Sequence, residues 1–141
     1  MKVIIVEDEQ LATERLITLL KNYDLSVQVI ACLESIEETV QYLKTHSHPD
    51  LLLLDIHLSD GHSFEIFKQV NYNGPVIFTT AYDVYALEAF KLLSIDYILK
   101  PVTQDALAAA LNKFKSLSLS FNAARLHTTI PVMNEPRYKK R

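Results

Sequence analysis

The chain has 141 residues, 49% of them apolar, and a formal net charge of −3. That supports one domain with a single core and gives no overall pull toward nucleic acid or an anionic membrane. Cys32 is the sole cysteine, which excludes an internal disulfide and suits a reducing compartment. No signal-peptide pattern is present and no apolar run approaches the ~20 residues needed to span a bilayer, so a soluble cytoplasmic domain with no membrane partner is expected.

Lys2-Val3-Ile4-Ile5-Val6 reads as a buried strand that runs into Glu7-Asp8. From Gln10 to about Asn22, Ala12, Leu16, Leu19, Leu20 and Tyr23 recur at spacings of three and four, the signature of one apolar helix face. Val27 to Cys32 reads as a second strand. Ser35 opens a helix, with Glu38 placed for a capping box and Ile36, Val40 and Leu43 as the buried stripe. Leu51 to Leu54 is a continuous apolar run, expected of a strand covered on both faces, and it closes on Asp55. A turn containing Asp60-Gly61 follows, then Phe64, Phe67 and Val70 suggest a short third helix. Asn73-Gly74-Pro75 breaks the chain before the strand Val76 to Thr80. A helix is expected from about Val84 to Leu93, a fifth strand from Ile95 to Leu99, and a last helix capped by Thr103 that buries Leu107, Ala110, Leu111 and Phe114. Five strands alternating with five helices imply an α/β protein with a doubly wound parallel sheet. After about Leu117 the pattern decays. Ser116 to Phe121 alternates and suits either an extended helix or a hinge, and Pro131, Pro136 and a basic end read as a linker.

Charged and hydroxyl residues collect at the strand ends, where open α/β sheets keep their chemistry. Asp55 can act as a nucleophile toward phosphorus, forming an acyl phosphate. Glu7 and Asp8 would crowd it if their strand lies alongside. Three carboxylates that close call for a cation, and oxygen-only ligands favour Mg²⁺ or Mn²⁺. Lys100 offers a positive charge to a phosphate oxygen or to Asp55. Thr80 can donate a hydroxyl; Thr79 competes, and since strand neighbours face opposite sides at most one serves. Tyr97 carries a polar tip on an apolar ring and could move between buried and exposed rotamers. His46, His48, His57 and His62 read as loop histidines rather than metal ligands.

Glu7-Asp8, Asp55, Thr80-Ala81, Tyr97 and Lys100-Pro101 together resemble the receiver domain of a bacterial two-component response regulator, over about residues 1–117. The resemblance implies a flavodoxin-like fold, strand order 2-1-3-4-5. It implies that Asp55 is the phosphoacceptor and that Asp8 binds Mg²⁺ directly, Glu7 through water, and His57 through its backbone carbonyl. It further implies that Thr80 and Tyr97 form the switch pair and that the Lys100-Pro101 bond is cis. Thr80 to Phe90, with Asp96 to Pro101, is similar to regulators that carry a LytTR-type DNA-binding domain. In those the effector follows a linker, so residues 118–141 are expected to lead to such a domain, absent from this chain. Ser59 and Ser63 depart from a proline and a glycine usual in the family, which leaves the shape of that turn open.

The function implied is that of a phosphoacceptor switch rather than an enzyme. A sensor histidine kinase would supply the phosphoryl group. Thr80 would move toward it, Tyr97 would turn inward, and a face formed by Val84, Ala86, Leu87, Phe90 and Lys91 would support a receiver homodimer. DNA would be reached only through the absent effector. His57 and Tyr82 would tune water access to the acyl phosphate. An aspartyl phosphatase of the haloacid dehalogenase type would need an aspartate where His57 stands. With only Gly61 and Gly74, neither a dinucleotide fingerprint nor a P-loop can be built.

Overall fold

A computed structural model of the chain describes residues 1–82 and 95–127, with side chains through 118. Five strands form one sheet: β1 (Lys2–Val6), β2 (Gln28–Leu33), β3 (Leu51–Asp55), β4 (Val76–Thr80) and β5 (Asp96–Leu99). Every pairing is parallel and the order is β2-β1-β3-β4-β5. Helices α1 (Gln10–Tyr23), α2 (Ile36–Thr45), α3 (Ile66–Gln69) and α4 (Gln104–His127) make four α-helices among the described residues. The protein is thus a flavodoxin-like α/β fold. The helix expected over 84–93, and with it Val84, Ala86, Leu87, Phe90 and Lys91, lies outside the described residues, as does the chain from 128 onward.

Strand β3 is central because its leucines have no polar side to offer water. Leu51 to Leu54 are all buried and pair with β1 on one side and β4 on the other. Side chains alternate across the sheet with period two, so two cores form. One joins Val3, Ile5, Leu51, Leu53, Ile77 and Ile98 to Leu16, Leu19 and Leu20 of α1 and Leu107, Ala110 and Leu111 of α4. The other joins Ile4, Val6, Leu52, Leu54 and Phe78 to Ile36, Val40 and Leu43 of α2 and Ile66 of α3.

Local differences from the sequence reading have local causes. β2 starts one residue late, because the Val27 amide is drawn to the Asp24 carbonyl at 3.1 Å. Ser35 caps α2, its hydroxyl accepting from the Glu38 amide at 3.0 Å, but the Glu38 carboxylate accepts from the amide of Glu34 rather than from that of the cap. The fully buried residue of α3 is Ile66, while Phe64 and Phe67 are half-buried with edge contacts to the Phe78 ring. Thr103 caps α4, accepting from the Ala106 amide at 3.1 Å, and the helical backbone continues through the alternating Ser116–Phe121 stretch to His127. No helix among the described residues is long and apolar enough to cross a membrane.

Burial alone should separate two leucines of this fold. Leu52 is fully enclosed, whereas Leu11 on α1 is 80% exposed. Leu52→Ala is expected to lower stability by about 2–5 kcal/mol in urea unfolding, and Leu11→Ala to change it by less than about 0.5 kcal/mol.

Candidate functional site

The register of the sheet assembles the site. Val6 pairs with Leu54 and Leu54 with Phe78, so the residues just beyond, Glu7 and Asp55, emerge side by side at the carboxyl edge. Thr80 pairs with Leu99, which sets Lys100 at the same edge, and the Lys100 amide donates to the Thr80 carbonyl at 2.7 Å. The Lys100–Pro101 peptide bond is cis.

The carboxylates of Glu7, Asp8 and Asp55 converge, each offering an oxygen within 4.8 Å of the others. Glu7 is 2% and Asp55 5% exposed, so neither can rely on water for its charge. Asp8 is exposed. The Lys100 ammonium, only partly exposed, donates to Glu7 Oε1 at 2.7 Å and to Asp55 Oδ2 at 2.9 Å. The other oxygen of each carboxylate is met by backbone: the Glu9 amide donates to Glu7 Oε2 at 3.1 Å and the His57 amide to Asp55 Oδ1 at 3.3 Å.

Burial pushes the Glu7 carboxyl above its ordinary value. The hydrogen bond from Lys100 pulls it down, but repulsion from Asp55 reinforces the rise and the net shift is upward. At Lys100 burial acts to lower the pKa, and the hydrogen bonds to Glu7 and Asp55 outweigh it, so the ammonium is held above the usual lysine value. The two partners therefore respond differently to one ion pair: desolvation prevails at the more deeply buried group. Of the three carboxylates, Lys100 bonds to two, Glu7 and Asp55. An oxygen-only set of this kind, without histidine or cysteine, fits Mg²⁺ or Mn²⁺ rather than zinc.

Thr79 and Thr80 are both buried and point to opposite faces. Thr79 lines an open cavity of about 330 Å³ that adjoins the cluster, with Glu7 and Lys100 on its polar side and Ala12, Leu16 and Val102 on its apolar side. Thr80 lies on the Phe78 face, and its hydroxyl accepts from the Tyr82 amide at 3.2 Å. The Tyr97 hydroxyl donates to the Tyr82 carbonyl. One residue's backbone therefore links Thr80 to Tyr97. His57 is half-buried, with its ring edge-on to His62 and to Tyr82, at centroid distances of 4.8 and 5.0 Å. His46 and His48 are exposed, and His46 stacks on Tyr42.

Two further side chains near the site tie together distant segments without any signal in the sequence. Arg15 of α1 donates from Nε at 3.2 Å and Nη2 at 2.9 Å to the Val102 carbonyl, gripping the turn that carries Lys100. Asp60, which the sequence marks only as part of a turn, accepts from two amides of α2. Both contacts join segments remote in sequence, and no local pattern encodes them.

Residues 3–112 match the family model for the response regulator receiver domain. The chain belongs to that family. It is 39% identical over 118 residues to the sensory transduction protein LytT of Bacillus cereus, a match covering 82% of this chain and 47% of that protein. It is 34% identical over 119 residues to the transcriptional regulatory protein LytR of Staphylococcus aureus, covering 82% of this chain and 48% of that one. Thus the chain spans about half the length of the curated relatives it matches. Among solved structures, the response regulatory domain of protein mrkE from Klebsiella pneumoniae superposes with a TM-score of 0.74 at 30% identity, covering 83% of this chain and 97% of that one.

The Lys100 ion pairs give the site a pH signature. A lysine whose pKa is raised by folding adds stability in full below its ordinary value of 10.5, and the contribution disappears as pH rises through the raised value. Wild type should exceed Lys100→Met in chemical denaturation at mildly alkaline pH, and the gap should close in strong alkali. A gap that does not change with pH would show that the ion pairs contribute nothing.

Proposed function

We propose that this receiver accepts a phosphoryl group on Asp55 from the phosphohistidine of a sensor histidine kinase, in a reaction that needs Mg²⁺ or Mn²⁺. The observation that carries the reading is the Lys100 ammonium shared between Glu7 and Asp55 beside the exposed carboxylate of Asp8. Asp8 and Asp55 would ligate the cation directly, Glu7 through water, and His57 through its backbone carbonyl. The bound cation would supply charge neutralisation for the transferring phosphoryl oxygens.

The chain's own groups divide the remaining work. An Asp55 carboxylate oxygen attacks phosphorus in line as the bond to the kinase imidazole breaks, leaving an acyl phosphate. Lys100, already bonded to Asp55 Oδ2, is within reach of a phosphoryl oxygen on that carboxylate and stabilises it without rearranging. Thr80 can give its own hydroxyl hydrogen to another. Because the Tyr82 backbone receives Tyr97 and donates to Thr80, movement of Thr80 toward phosphate would disturb the Tyr97 hydrogen bond and free that ring to turn inward. Such a change biases an existing equilibrium. It would favour a receiver homodimer through Val84, Ala86, Leu87, Phe90 and Lys91, which lie outside the described residues. His57 and Tyr82, in ring contact beside Asp55, would govern how readily water reaches the acyl phosphate.

The protein would thus be a switch rather than a turnover enzyme, working in the cytoplasm where kinases of this type present their phosphohistidine. The relatives named LytT and LytR support a LytTR-type DNA-binding effector beyond the receiver, with residues 118–141 leading to it, and DNA contact through that effector alone.

Treatment with acetyl phosphate and Mg²⁺ should add one hydroxylamine-labile phosphate by mass spectrometry, and Asp55→Asn should abolish it. Persistent labelling of that variant would refute Asp55 as acceptor. Asp8→Ala should remove the response of labelling to Mg²⁺; an unchanged Mg²⁺ requirement would discard Asp8 as a ligand.

A further inference from the structure

The loop that leaves Asp55 is fastened to a helix distant in sequence. Asp60 Oδ1 accepts from the Ile36 amide at 2.9 Å, and Oδ2 accepts from the Glu37 amide at 3.1 Å. These are among the first amides of α2, which have no carbonyl partner within their own helix. Ser35 satisfies the next one, at Glu38. The amino end of α2 is therefore capped twice, once by its own neighbour and once by a carboxylate from the loop after β3. Negative charge is favoured at that helix end.

The rest of the loop is built to keep Asp60 there. Its base is closed by the Ser63 amide, which donates to the Ile56 carbonyl at 2.8 Å, and His57 pairs across from His62. Gly61 has a φ of +136°, a conformation that side chains resist, and a Cβ at that position would lie 3.3 Å from Ile36 Cδ1. Ile36 is buried with Val40 and Leu43 in the core, so α2 gives the loop a fixed support. Between the base and the tip sits His57, whose amide reaches Asp55 Oδ1.

We propose that Asp60 is a positioning residue for the cation site: by tying the 56–63 loop to the amino end of α2, it holds the His57 peptide in place beside Asp55. Divalent-cation affinity then depends on a side chain that does not touch the cation. The inference rests on the reading of Glu7, Asp8, Asp55 and the His57 carbonyl as the ligand set.

The test is a Mg²⁺ titration of wild type, Asp60→Ala, Asp60→Asn and Ser35→Ala, followed through amide chemical shifts. Amide exchange of the cation-free proteins and their urea unfolding are measured alongside. Asp60→Ala should bind Mg²⁺ about tenfold more weakly, the low end of what outer-shell partners of metal sites contribute, and should exchange the Ser63 amide faster without cation. Asp60→Asn, which keeps one acceptor oxygen, should recover part of both. Ser35→Ala, which removes only the local cap of α2, should lose stability but keep wild-type affinity. Wild-type affinity in Asp60→Ala, or a loss in Ser35→Ala as large as that in Asp60→Ala, overturns the proposal. A wild type that shows no Mg²⁺-dependent shifts at Asp8, Asp55 and His57 overturns the ligand set itself, and the proposal with it.

Discussion

A partly buried ammonium shared by two buried carboxylates is the constraint around which this molecule is arranged. Glu7 and Asp55 end adjacent parallel strands, and both are nearly sealed from water. Desolvating either charge alone would be prohibitive. Lys100 offsets that cost from the far side of β4, and backbone amides of Glu9 and His57 satisfy the remaining carboxylate oxygens. The balance is incomplete, since Asp8 adds a third carboxylate. A site left short of positive charge by its own construction is suited to a divalent cation, and a group that already neutralises Asp55 is well placed for an incoming phosphoryl oxygen.

The two-residue period of a strand separates the site residues into two groups. Glu7, Asp55 and Lys100 continue the rows that face α1 and α4, as Val3, Ile5, Leu51, Leu53 and Ile98 show. Thr80 and Tyr97 continue the rows on the opposite face, with Phe78. Charge handling thus sits on one side of the sheet edge and the hydroxyl–aromatic pair on the other. The Tyr82 backbone is the physical link within that pair.

Much of this was readable from residue pattern. The leucine run ending in Asp55 read as a strand covered on both faces because it is short, apolar throughout and bounded by a breaker. The order of strands and helices then left few topologies, and the strand ends named Glu7, Asp8, Asp55 and Lys100, with one of Thr79 and Thr80, as candidates for one crevice; the carboxylates and Lys100 do converge, while Thr80 sits on the Phe78 face. Pattern fared worse where neighbours in space decide. Ile66 is the enclosed residue of α3, and the aromatic spacing that suggested the helix gave it no prominence; Phe64 and Phe67 pack half-buried against the same core. The Ser116–Phe121 alternation, readable as an extension of the last helix or as a hinge, takes the helical form. Neither Arg15 nor Asp60 stood out.

The amino-acid order by itself determined which segments become strands and helices and which chemically active side chains stand at their ends, since periodicity and chain breakers act over a few residues. Only the tertiary structure decided the pairing of Lys100 with both Glu7 and Asp55, the grip of Arg15 on Val102 and the double cap on α2. Those contacts depend on strand register and on loops meeting elements tens of residues away, and the energy that selects them comes from burial shared across the whole sheet.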